Sequence, residues 1–120
     1  MRSDITTKRV YHDPDPADGH RVLVDRLWPR GLTKDAAAAI DAWAKDAAPS
    51  PELRRSFHSG ECDFAAFEKA YRQELESADA SVFKDLGTAE RLTLLYASRD
   101  TSQNHAMVLA EFLRERDPGR

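Results

Sequence analysis

Arg21-Val22-Leu23-Val24-Asp25 is the stretch on which the fold turns. Three apolar residues run together between charged ends, with no polar alternation. A strand of that kind is covered on both faces, as in a parallel sheet. Arg91-Leu92-Thr93-Leu94-Leu95-Tyr96-Ala97 has the same character and reads as a second strand. Thr7–Tyr11, which mixes Thr, Val and Tyr with basic residues, reads as a short strand ahead of both.

Outward from these strands the pattern changes to helices and turns. His12–Gly19 holds two prolines, three aspartates and a glycine, and is a loop. Thr33 can cap a helix through Ala36–Ala47, with Ile40, Trp43, Ala44 and Ala47 on one face, and Pro49 stops it. Ser50-Pro51-Glu52 starts another, with a hydroxyl cap, proline at the first helical position and an acid in the first turn. Asp63 begins a third, whose Phe64, Phe67, Tyr71 and Leu75 recur at helical spacing. Ser81–Leu86 adds one or two turns. A last helix over Asn104–Arg116 buries Ala106, Leu109, Ala110 and Leu113 before Pro118. The order predicts an α/β fold: a small, mostly parallel three- to four-stranded sheet packed by several helices.

At 120 residues, with no repeat or linker, the chain is expected to be a single domain over 1–120. A domain of that length buries roughly two thirds of its extended-chain surface, so it folds without metal or disulfide. Hydrophobic residues make up 41% and charged residues 32%, a compact core with a heavily solvated exterior. Cys62 is alone, so no internal disulfide forms and a cytoplasmic location is expected. No apolar run approaches the roughly 18 residues that span a bilayer, and Met1-Arg2-Ser3-Asp4 is not a signal peptide. A net charge of −3 argues against a groove for nucleic acid, which needs many phosphate contacts, but leaves room for a local basic pocket.

Ligands of such sheets sit beyond the carboxyl ends of the strands. Both strong strands end in unusual polar sequence. Asp25-Arg26-Leu27-Trp28-Pro29-Arg30-Gly31 sets a carboxylate beside two guanidiniums four residues apart, with an indole between them. Proline restricts Trp28 to extended backbone and Gly31 permits a turn, so the segment is shaped. Arginine forks match carboxylate or phosphate, and Trp28 can stack on a flat ring. Equally, Asp25 can pair with Arg26 or Arg30 while Trp28 plugs the core.

Tyr96-Ala97-Ser98-Arg99-Asp100 leads through Thr101-Ser102-Gln103-Asn104 to His105 at the start of a helix. Free backbone N–H groups there favour an anion, although Asp100, Thr101 or Ser102 also serve as ordinary caps. If the two turns adjoin, Arg26, Arg30 and Arg99 face Asp25 and Asp100, a nearly balanced cluster suited to one small anion. His105 is the candidate for proton transfer, with Asp25 or Asp100 to orient it or act as base. Against that stands a structural first-turn histidine. Tyr96 either donates to a ligand or packs with its hydroxyl satisfied, and Asn104 is a further ligand-binding candidate.

Other groups carry less. His12, Asp13, Asp15 and Asp18 could gather around a cation, but prolines splay them, and no metal is expected. Cys62 lies among acids that disfavour a nucleophilic thiolate. No glycine-rich phosphate loop, dinucleotide fingerprint or nucleophile elbow is present, and no cofactor is expected.

Val24–Gly31, Leu95–Asp100 and Asn104-His105-Ala106-Met107-Val108-Leu109 closely resemble the YeaO-like proteins, a bacterial domain of unknown function. The likeness extends over Lys8–Tyr11 and Trp43–Leu53 to nearly the whole chain. It implies that Asp25, Arg26, Trp28, Arg30, Tyr96, Arg99, Asp100, Asn104 and His105 belong to the family pattern. It brings no established activity. The labels of porphyrin methyltransferase and transcription regulator that some relatives carry find no support, since this chain has neither a glycine-rich cofactor loop nor a basic recognition helix.

Two functions follow as expectations. The first is a site for a compact anion such as a phosphate, nucleotide or sugar phosphate, with metal-free hydrolysis of a glycosidic or phosphoester bond as its catalytic form. The alternative is a non-catalytic module for a protein or nucleic-acid partner, in which the Arg/Asp cluster is purely structural. An open cleft with arginines reaching solvent favours the first. A closed network with each guanidinium paired favours the second.

Overall fold

The computed structural model describes residues 4–86 and 90–116. Pro118, expected to end the last helix, and Met1-Arg2-Ser3 lie outside them. Strands β1 (Asp4–Arg9), β2 (His20–Leu23), β3 (Ala42–Trp43) and β4 (Arg91–Tyr96) form one sheet in the order β1-β4-β2-β3. Each neighbouring pair is parallel. The register sets Arg9 against Tyr96 and Leu23 against Leu95, so three strands end level with one another. β2 is buried on both faces, as its apolar run predicts, and the sheet order sets it and β4 at the centre.

Helices α1 (Lys34–Ala38), α2 (Pro51–His58), α3 (Phe64–Ser77) and α4 (His105–Arg116) join these strands with short 3-10 turns at Pro16–Asp18, Lys45–Ala47 and Ala80–Leu86. Ser50 and Asp63 cap α2 and α3, accepting from the Leu53 and Ala66 amides, as their sequences indicate. Val22, Leu92, Leu94 and Tyr96 of one sheet face pack with Phe67, Tyr71 and Leu75 of α3 and with Leu109 and Leu113 of α4. On the opposite face Val10, Leu23 and Leu95 are covered by Leu32, Ile40 and Trp43. Among the described residues no helix is long and apolar enough to cross a membrane.

The expected helix over Ala36–Ala47 is a correction. Only α1 forms, and the chain then turns to pair Ala42 and Trp43 with Val22 and Leu23. Alanine favours helix locally, yet it has little surface to bury, and helical stability comes mainly from packing an apolar face. Edge pairing instead lets Asp41 accept the Arg21 amide and lets Trp43 Nε1 donate to the Asp25 carbonyl at 2.7 Å. Tertiary bonds override the local preference.

Candidate functional site

Beyond the level ends of β1, β2 and β4 the backbone opens into a cleft of about 580 Å³. Its walls are the turn after β2 (Asp25–Arg30), the segment after β4 (Ala97–Arg99, then Gln103–His105) and one face of α2. Three anchors hold the first turn. Trp43 fixes the Asp25 carbonyl, Tyr11 donates its hydroxyl to the Arg30 carbonyl at 2.7 Å, and Arg26 donates to the Ala48 and Pro49 carbonyls, 3.3 Å each. Gly31 leaves the turn at φ +72°, a backbone that side chains resist. On the other side Arg9 donates to the Ala97 and Ser98 carbonyls. The two turns adjoin.

Asp25 and His105 join them. Asp25 Oδ2 accepts the Ala97 amide at 3.0 Å, tying the end of β2 to the end of β4. His105 Nε2 lies 3.0 Å from both the Val24 carbonyl and Asp25 Oδ1. Two acceptors beside one nitrogen assign the ring N–H to Nε2. The N–H is directed at Val24, so Asp25 Oδ1 is buried without a hydrogen bond of its own. A buried carboxylate oxygen in that state carries a desolvation cost, which the nearby imidazole N–H partly offsets.

The remaining candidates separate into two groups. Asp100 is a cap: it accepts from the Ser102 and Gln103 amides and the Ser102 hydroxyl. Those bonds, the Gln103 amide foremost, hold its carboxyl below the usual range. It is not among the residues lining the cleft. Asn104 is buried at the edge of the cleft and caps α4, accepting the Met107 amide and donating to the Asp100 carbonyl. Tyr96 is core, and burial raises its phenol above the ordinary value. Arg30 and Arg99 differ. Both are exposed and line the cleft, and their guanidiniums have no partner among the described residues.

Sequence reasoning missed Arg54 and His58. They stand four residues apart on α2 and therefore share a helix face, and that face is a wall of the cleft. Their spacing was legible, but only the packing of α2 beside the strand ends makes them part of this site. The cleft is lined by four arginines and one aspartate, a surplus of three positive charges in a chain whose net charge is −3. It is more cationic than the sequence implied, because Asp100 is elsewhere and Arg54 is present. Large apolar side chains exposed among the described residues are Tyr11, Leu27 and Trp28, and all three line it. Trp28 is 46% exposed and meets Trp43 edge-on, ring centres 5.2 Å apart.

No group of three or more His, Cys, Asp or Glu among the described residues is placed to hold a metal ion. Asp15 caps a 3-10 turn, and Asp18 is bound by Lys8 and Arg21.

The family model described as "Inactive DUF488-N3 subclade" matches residues 4–117. The chain belongs to the YeaO-like DUF488 family. It is 45% identical over 113 residues to the uncharacterised protein YeaO of Escherichia coli, covering 92% of this chain and 97% of that one. It is 42% identical to an uncharacterised protein of Mycobacterium tuberculosis, covering 93% and 95%. No solved structure matches. Of the segments by which this YeaO-like chain resembles its family, Val24–Gly31, Leu95–Asp100 and Asn104–Leu109 each contribute to the cleft, through Asp25–Arg30, Ala97–Arg99 and Asn104-His105.

Proposed function

We propose that the cleft binds a compact phosphate-bearing ligand: a phosphate, a nucleotide or a sugar phosphate. One observation carries this reading. Arg30, Arg54 and Arg99, unpaired among the described residues, converge on one cleft with the exposed Trp28. Guanidiniums take phosphate oxygens two at a time and are little hydrated, so their free forks suit such a ligand. A purely structural cluster would pair each guanidinium, and of the four only Arg26 is engaged. The cytoplasm, where phosphorylated small molecules are made and used, suits this reading and the single cysteine.

Binding comes before catalysis. Metal-free hydrolysis with Asp25 and His105 as acid and base rests on their 3.0 Å contact. Against it, Asp25 Oδ2 is already committed to the Ala97 amide, and the matching family is described as inactive. The test is thermal unfolding with millimolar inorganic phosphate, ribose 5-phosphate and AMP. A ligand at a hundredfold excess over its Kd stabilises by about 2.7 kcal/mol, several degrees for a domain this size. If none of the three stabilises the wild type more than Arg30→Ala, the proposal is wrong.

A further inference from the structure

The cleft has two chemically different parts, and together they narrow the ligand class. This step rests on the phosphate-site reading above. We infer that the ligand is a phosphomonoester that also bears a flat ring, its phosphate held by Arg54 of α2 together with Arg30 and Arg99 of the strand-end turns, its ring against Trp28.

Charge selects the phosphate. The Arg26 guanidinium is engaged by two backbone carbonyls and lies 3.8 Å from Asp46, outside the cleft. Arg30, Arg54 and Arg99 remain, opposed by Asp25, which leaves a surplus of two. A phosphomonoester carries about −1.5 to −2 at neutral pH. A carboxylate would leave the arginines undercompensated, and a triphosphate would overcompensate them. The arginines come from separate segments, Arg30 and Arg99 from the two strand-end turns and Arg54 from α2, so a terminal phosphate in the cleft can draw donors from all three.

Shape selects the ring. Most solvent-facing large apolar surface on a small domain is scattered, whereas Tyr11, Leu27 and Trp28 are gathered in one cleft. Trp43 holds Trp28 by an edge contact, which fixes the indole without covering it. Phe57 and Phe67 line the cleft as well. A cavity of about 580 Å³ falls within the roughly 300–1,000 Å³ of sites for ligands of nucleotide size, and is larger than a bare phosphate requires.

The experiment compares Kd by calorimetry at low ionic strength for AMP, UMP, adenosine, ribose 5-phosphate and inorganic phosphate. Stacking of a base on an aromatic ring predicts that AMP binds about tenfold or more tighter than ribose 5-phosphate. Trp28→Leu, which keeps apolar contact with Trp43, removes that difference and leaves ribose 5-phosphate unchanged. Arg54→Ala weakens AMP and ribose 5-phosphate about equally. Equal affinity for AMP and ribose 5-phosphate overturns the ring assignment while the phosphate site stands. Adenosine binding as tightly as AMP overturns the phosphate assignment. An Arg54→Ala protein that binds as the wild type overturns the role of α2. If no phosphate-bearing probe binds at all, the underlying site reading falls too.

Discussion

Asp25→Ala separates a brace from a catalyst. In the structure the carboxylate spans the gap between β2 and β4: Oδ2 accepts the Ala97 amide at 3.0 Å and Oδ1 lies 3.0 Å from His105 Nε2. The substitution orphans the Ala97 amide. It leaves His105 with its Val24 bond. A hydrogen bond to a charged group in this setting contributes about 1.5–3 kcal/mol, so a loss of about 2–3 kcal/mol is expected. At roughly 3–5 °C per kcal/mol for a domain of this length, the midpoint falls by about 6–15 °C. Asp25→Asn should fall less, because the amide oxygen still accepts from Ala97 while its NH2 faces the imidazole N–H. Binding should move the other way. Removing the one carboxylate that lines the cleft among the described residues raises its positive surplus, so phosphate affinity at low salt holds or tightens. Calorimetric melting and titration with AMP on the same preparations read both quantities. A midpoint within about 2 °C of the wild type, or a tenfold loss of AMP affinity in a folded Asp25→Ala protein, would refute the brace.

Two further outcomes concern stability. Gly19 has φ +67°, and a Cβ there would lie 2.5 Å from the Arg91 carbonyl oxygen and its Cβ, whereas Gly31 at φ +72° has open space around it. Urea unfolding should show Gly19→Ala losing more than about 3 kcal/mol, backbone strain plus overpacking, and Gly31→Ala only about 1–2; equal losses would contradict the Gly19 contact. Asp18 tests acid sensitivity: burial raises its pKa, but the bond from Lys8, the Asp15 amide and the charges of Lys8 and Arg21 outweigh this and hold it below the usual value. A depressed folded pKa gives stability that is present above the unfolded value near about 4 and lost as pH falls through the folded one. Asp18→Asn should therefore cost about 3–5 kcal/mol at pH 7, the penalty for breaking a buried pair, and flatten the acid limb of stability below pH about 4. Acid limbs that run parallel in the two proteins would show that Asp18 does not carry it.

The sequence by itself determined the parts whose signals are local. The apolar run Val22–Val24 and the Leu-rich stretch Leu92–Leu95, broken only by the small Thr93, mark two buried strands, because a strand covered on both faces is apolar nearly throughout. Ser50 and Asp63 mark helix starts, because an N-cap is set by the residue's own hydrogen bonds. The polar turns after both strands lie where topology alone directs a ligand, beyond the carboxyl ends of a parallel sheet. Tertiary structure decided the rest. Ala42-Trp43 became an edge strand, since what outweighed helix propensity was pairing with residues about twenty positions earlier. Arg26 looks like a free site residue in sequence but is occupied by the Ala48 and Pro49 carbonyls, bonds over more than twenty residues that no spacing announces, whereas Asp100 takes the capping role its own sequence also offered. Arg54 and His58 look like an ordinary solvated helix face until α2 is set beside the strand ends. The charge of a cleft is a sum over residues distant in the chain. Residue types supply its terms, and only the packing says which of them face the same water.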